Sequence, residues 1–159
     1  MTRVETVLIV YRKPKILLGF KDPNKKFGGR WNGFGGGVEN GESLEECAIR
    51  ETEQETGIRP KNPTRVGEIL FKFETDEQDH EVHIFKAEEY EGVLNTTKDF
   101  IEYREFTPEE LTKMYDKMMP ADRYWLPLFV QEQNFVGEVV FNSKFQVASY
   151  NIRRIKNLN

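Results

Sequence analysis

The sequence predicts a layered α/β or α+β fold, and three features carry that reading. Segments patterned as strands alternate with segments patterned as helices along the chain. The first apolar run, Thr6 to Tyr11, lacks polar alternation, as a strand covered on both faces should. No long linker, repeat or low-complexity tract interrupts the 159 residues, so residues 1–159 are expected to form one domain.

After the first strand, Arg12-Lys13-Pro14-Lys15 reads as a turn and Ile16 to Phe20 as a second strand. Asp22 to Arg30 is a polar loop holding Pro23, Gly28 and Gly29. Trp31 to Gly37 places glycine at positions 33, 35, 36 and 37. That is a poor basis for a regular element, and it suits a backbone with unusual dihedrals or a close approach. Ser43 begins a helix, with Glu46 completing a capping box, and Gly57 ends it after about Thr56. Leu44, Ala48 and Thr52 are spaced as its inward stripe, while Glu51 and Glu55 lie one turn apart on a neighbouring face. Val66 to Phe73 alternates as a strand with Ile69, Phe71 and Phe73 on one face. Glu81 to Lys86 and Phe100 to Phe106 are further strands. Thr107-Pro108-Glu109-Glu110 starts a second helix, with Pro108 at its first position. Pro120 starts a third, with Trp125, Leu128 and Phe129 as its apolar face. Phe135 to Ile155 is strand-like.

The formal net charge is -4, and no basic tract exists to hold a nucleic-acid backbone, so a polymer substrate is disfavoured. An acidic protein that handles a polyanion needs a bridging cation. A single cysteine, Cys47, rules out an intrachain disulfide and fits a reducing compartment. The apolar run at Val7 to Val10 is too short to span a bilayer, and no signal-peptide pattern is present. A cytoplasmic monomer without a membrane partner is the expectation. Most of the twelve phenylalanines belong to a core, with some free to line a ligand site.

The informative stretch runs from Gly36 to Ile58. Gly36 is followed after five residues by Glu42, after seven more by Arg50-Glu51, and then by Glu55, Gly57 and Ile58. This resembles the Nudix box, G-x5-E-x7-R-E-U-x-E-E-x-G-U, where U is aliphatic. The spacing matches without a gap. Thr52 stands at an aliphatic position. Gln54 stands where the pattern has the first of two adjacent glutamates, which removes one carboxylate from the cluster.

The resemblance implies an α/β/α sandwich around a mixed β-sheet and a magnesium-dependent hydrolase, with manganese an acceptable substitute. It assigns Glu51, Glu55, Arg50 and Glu42 to catalysis, and Gly35, Glu51 and Glu55 to the metal. The physical reason is direct. A triphosphate and an acidic helix repel one another, and a hard divalent cation reverses that sign. Glu51 and Glu55 can reach one ion, Arg50 holds the carboxylates by ion pairing, and either glutamate can act as the base.

Beyond the box, Trp31 to Gly36, Phe71 to Phe73, Val82 to Phe85 and Asp122 to Leu128 recur in order. They are similar to the animal-type oxidised purine nucleoside triphosphate hydrolases. That branch cleaves 8-oxo-dGTP and 2-hydroxy-dATP to the monophosphate and pyrophosphate. The likeness implies Asn32 and Asp122 on the purine's polar edges and Phe71 and Phe73 as an aromatic wall. Thr6, Lys21, Met119 and Trp125 complete the substrate set. By spacing alone Phe71 and Phe73 fit core packing equally well. Asn32 also reads as a turn residue, and Lys21 as a surface charge. His83 reads as a satisfied structural histidine, and His80 has no evident role.

Met119 and Ala121 replace a tryptophan and an aspartate of that branch, and Phe100 replaces a carboxylate for which Asp99 or Glu102 can substitute. These departures keep two alternatives open. One is a Nudix enzyme for a pyrimidine triphosphate or a dinucleotide. The other is a nucleotide-binding module without hydrolysis.

Overall fold

A computed structural model describes residues 1–158. Its frame is one large mixed sheet. Strand β1 (Thr2–Arg12) is central, and β2 (Lys15–Lys21) returns antiparallel beside it. Strands β3 (Trp31–Asn32) and β4 (Phe34–Gly37) follow, then α1 (Leu44–Thr56), β5 (Ile58–Lys61), β6 (Thr64–Phe73) and β7 (Asp79–Ala87). The chain continues through β8 (Glu89–Gly92), β9 (Phe100–Phe106), α2 (Pro108–Thr112), α3 (Asp122–Val130), β10 (Asn134–Phe141) and β11 (Val147–Ile155). The sheet order is β11-β10-β6-β7-β1-β2-β3, with β4 also paired to β1 and β9 to β2. β1 runs parallel to β7 and β10 parallel to β6. β5 and β8 form a separate two-stranded ribbon.

The unbroken apolar run in β1 has the expected cause. Leu8 and Val10 pack with Ala48 of α1 on one face, and Ile9 and Tyr11 pack with Trp125 and Phe129 of α3 on the other. Side chains alternate across a strand, so a strand buried on both faces must be apolar at every position. The result is the layered α/β arrangement with helices on either side of a mixed sheet.

Helix α1 begins and ends as its sequence requires. Glu46 N–H donates to Ser43 Oγ at 3.0 Å and Ser43 N–H donates back to Glu46 Oε1 at 2.9 Å. Gly57 takes φ 86° and donates to the Glu53 carbonyl, closing the helix in the left-handed conformation that glycine tolerates. The expected stripe is inward: Ala48 and Thr52 are fully buried, and Leu44 packs against them from the rim. Thr52 satisfies its hydroxyl by donating to the Ala48 carbonyl at 2.7 Å, which is how a threonine occupies an aliphatic position without an orphaned donor.

The structure corrects three expectations. Trp31 to Gly37 is not irregular; it forms β3 and β4, and Glu5 to Leu8 of β1 pair with Phe34 to Gly37. Its glycines serve close approach rather than unusual dihedrals, since the positive-φ glycines are 29, 41, 57 and 92. A Cβ on Gly35 would stand 1.7 Å from the Thr6 carbonyl oxygen. The third helix starts at Asp122, two residues after Pro120, and α2 spans only five residues. Ribbon β5–β8 was not anticipated, because Arg59, Lys61, Glu89 and Glu91 are exposed and give it little apolar pattern.

Candidate active site

One cavity of about 200 Å³ lies on the α3 side of the sheet and extends to the glycine strand. Asn32, Asp122, Phe71, Phe73, Thr6, Lys21, Met119 and Trp125 all line it, as do Gly35, Gly36 and Glu55. Eight side chains expected to contact substrate thus converge from six separate segments.

At the glycine end the carboxylates of α1 lie against the backbone of β4. Gly35 N–H donates to Glu55 Oε1 at 2.8 Å. A Cβ on Gly36 would fall 2.7 Å from Glu51 Cδ, so a bare backbone is what lets that carboxylate approach. Glu55 is only 9% exposed. Its burial pushes the carboxyl up to about 8, and the neighbouring charges of Glu51 and Asp99 push the same way against the pull of Gly35 N–H and Lys21. Thr97 Oγ1 and Tyr103 OH donate to the Glu55 carbonyl, which anchors the end of the helix.

Arg50 organises the outer half of this end. Its Nε donates to Glu42 Oε2 at 2.6 Å, one NH₂ group to Glu42 Oε1 at 2.9 Å, and the other to Glu51 Oε1 at 2.8 Å. It also reaches the Gly37 carbonyl and the Gln54 side-chain oxygen, each at 3.2 Å. Hydrogen bonds from Arg50 and from the Glu39 backbone hold Glu42 down at about 2. Glu42 is therefore committed to the arginine. Gln54 accepts from the same guanidinium.

At the opposite end, Trp125 Nε1 donates to Asp122 Oδ1 at 3.2 Å. Desolvation drives the Asp122 carboxyl up to about 7, although the residue keeps a partly open side and lines the cavity. Asn32 Nδ2 donates to the Arg30 carbonyl at 3.3 Å. Phe71 and Phe73 each stack on Phe141, at 5.7 and 5.4 Å between centroids. They therefore belong to both the core and the cavity wall.

Several lining residues escaped the sequence reading. Phe141 continues the wall to Phe145 at 4.7 Å, and Phe145 stacks on Phe27 at 5.2 Å. Phe27 and Phe145 are both at positive φ, 59° and 57°, which a bulky residue rarely adopts and no local pattern signals. Glu5 and His80 line the cavity as well. Phe100 is buried edge-on against Phe34. Of its two charged neighbours, Asp99 acts on Glu55, whereas Glu102 faces a separate shallow depression with Phe20 and Trp31.

His83 is satisfied on both nitrogens, by Glu81 at 2.7 Å and Arg65 at 3.2 Å. Among the described residues Glu68, Glu81 and His83 form a group with donor atoms within 4.8 Å of one another. Arg65 already supplies the positive charge there.

The site is thus an acid-bearing helix packed on a glycine strand, beside a cavity of about 200 Å³ in a mixed sheet. The NUDIX domain pattern matches residues 1–129. The mouse (Mus musculus) oxidized purine nucleoside triphosphate hydrolase is 34% identical over 155 residues, covering 97% of this chain and 96% of that protein. The zebrafish (Danio rerio) protein of the same name is 31% identical over 161 residues, covering 99% and 98%. The crystal structure of a MutT protein from Bacillus halodurans superposes with a TM-score of 0.81 at 25% identity, over 94% of this chain and 97% of that one. The chain belongs to the Nudix hydrolase family. Among the described residues no helix is long and apolar enough to cross a membrane.

Proposed function

We propose that the protein is a magnesium-dependent pyrophosphohydrolase of purine nucleoside triphosphates, oxidised purines such as 8-oxo-dGTP and 2-hydroxy-dATP among them. The observation that carries this reading is the continuity of one cavity from Glu55 and Gly35 to Asn32, Asp122 and the phenylalanine wall. The near full-length similarity to two proteins named for oxidised purine triphosphates supports it.

The donor set fits a hard divalent cation. Glu51 and Glu55, one turn apart on α1, both bring carboxylate oxygens against the backbone of β4, and among the described residues no cation is bonded to the buried Glu55. Magnesium, or manganese in its place, would be held by these two with the Gly35 backbone, and when bound it supplies charge neutralisation for the phosphates. Arg50 keeps Glu51 oriented and Glu42 keeps Arg50 oriented. Lys21, on the wall next to Glu55, adds a positive charge for the phosphate chain. Glu55 Oε2, free of the bond from Gly35, takes the proton of the attacking water. The water oxygen bonds to phosphorus, the bridging P–O bond breaks, and pyrophosphate departs. At the base end Asn32 presents both donors and an acceptor, Asp122 meets a second polar edge, and Met119 with Trp125 covers the ring. Residues 1–159 act as one unit, as a monomer in the cytosol.

A pyrophosphate-release panel over normal and oxidised purine, pyrimidine and dinucleotide substrates, with and without Mg²⁺, tests the proposal. Purine triphosphates, oxidised ones foremost, are expected to lead. Release from no purine triphosphate would overturn it. A dinucleotide or pyrimidine preference would redirect it, and binding without turnover would favour a non-hydrolysing module.

A further inference from the structure

Two ionisable side chains in the cavity take no part in the chemistry above. Glu5 of β1 and His80 of β7 sit on adjacent parallel strands, on the face shared with Val7, Val82 and Ile84. His80 Nδ1 donates to Glu5 Oε1 at 2.5 Å, and Arg3 Nε holds the other Glu5 oxygen at 3.0 Å. The ring meets Phe73 edge-on, with centroids 5.6 Å apart. The imidazole is therefore fixed in orientation from several sides.

Its second nitrogen is not satisfied. His80 is 9% exposed, and among the described residues Nε2 makes no hydrogen bond. The closest carboxylate oxygen, Glu77 Oε1, is 3.5 Å away and is bonded by Lys26. Leaving a buried polar atom unpaired costs stability, and native proteins rarely do so without a functional reason. Because Glu5 takes the Nδ1 proton, Nε2 is the atom left for a ligand. It accepts on the neutral ring and donates on the charged one.

Position decides what that ligand group is. Strands β1 and β2 separate β7 from β3, which carries Asn32, so His80 and Asn32 line the cavity from separate strands and would face different edges of a base held between them. An unmodified purine presents a C–H at C8 and, in adenine, at C2. Oxidation replaces it with a carbonyl and an adjacent N–H, or with a hydroxyl, groups able to pair with Nε2 in either state. We propose that His80, held by Glu5 as a positioning residue, is a specificity determinant that hydrogen-bonds the polar group oxidation adds to the purine. The inference rests on the cavity being the purine site proposed above.

The test compares wild type with His80→Leu on 8-oxo-dGTP and dGTP. Losing one hydrogen bond lowers kcat/KM for the oxidised nucleotide about tenfold, through KM, with a clearly smaller change for dGTP. Glu5→Ala acts in the same direction. Glu5→Gln restores most of the discrimination, because its amide oxygen still accepts from Nδ1–H. A metal-free readout needs no variant: in wild-type protein the ¹⁵N resonance of His80 Nε2 moves on adding 8-oxo-dGMP but not dGMP.

Equal loss for both nucleotides, or a resonance that ignores the bound oxidised monophosphate, would overturn the assignment and leave His80 a brace for the wall. Absence of turnover with every purine triphosphate would instead sink the proposed function. Monophosphate titration separates the two failures.

Discussion

The two ends of the cavity are built in opposite ways. The carboxylate end comes from one contiguous stretch, β4 through α1, and is held by charge: Arg50 bonds Glu42, Glu51 and Gln54 while Gly35 bonds Glu55. The end proposed for the base is assembled from β1, the segment before β4, β6, β7, α3 and β10, and is held mostly by stacked rings. A charged lattice on a capped helix leaves little room for repacking. An apolar wall of separate side chains, with Met119 among them, can adapt. Substitutions at the first end should therefore abolish chemistry, and those at the second should redirect it.

The strongest way to break that contrast is Glu55→Gln. Turnover should fall about a thousandfold or more, since several kcal/mol of transition-state stabilisation depend on this group. The same change should help folding. The folded carboxyl sits at about 8 against an ordinary 4.5, so the native state binds the proton more tightly than the unfolded chain. Wild-type stability without divalent metal should accordingly be full below about pH 4.5 and decline as pH rises toward 8, by up to roughly a few kcal/mol. Urea midpoints of Glu55→Gln should lack that decline. Parallel curves would show the group is not paying a burial penalty.

Arg50→Lys comes next. An ammonium cannot bridge Glu42, Glu51 and Gln54 at once, so kcat should drop about 10–100-fold with little change in KM. A rise in KM alone would place the arginine with the substrate instead.

At the base end Asp122→Asn should move specificity, not chemistry. The wild-type carboxyl, at about 7, is a donor below that pH and an acceptor above it. KM for the preferred purine triphosphate should rise about threefold to tenfold between pH 6 and 8, the scale of one hydrogen bond. The asparagine variant should show a flat profile, and an unchanged slope would remove Asp122 from base recognition.

The smallest effect sharpens the contrast from outside. Ser43→Ala breaks the capping box and should cost about 1 kcal/mol in thermal or urea unfolding, while kcat and KM stay within about twofold.

The same contrast explains what the sequence alone discloses. Ser43, Glu46 and Gly57 bound α1 by local hydrogen bonds, so its limits follow from residues a turn apart. The convergence of Asn32, Phe71, Phe73 and Asp122 was anticipated through family likeness, not from local pattern. Phe27, Phe145 and His80 were missed because their placement depends on long-range pairing. β10 must lie parallel to β6 before Phe141 and Phe145 reach the wall, and β7 must lie beside β1 before His80 meets Glu5. The glycine strand is hidden from local pattern because propensity argues against a strand there, while the gain from backbone pairing with β1 lies outside any short window.

The domain pattern stops at residue 129, yet Phe141 and Phe145 come from the hairpin that follows. The cavity wall thus extends past the stretch that the domain pattern covers. A chimera that exchanged only residues 134–155 with a relative would reshape the Phe141–Phe145 side of the wall while leaving Asn32, Asp122 and the carboxylates of α1 untouched.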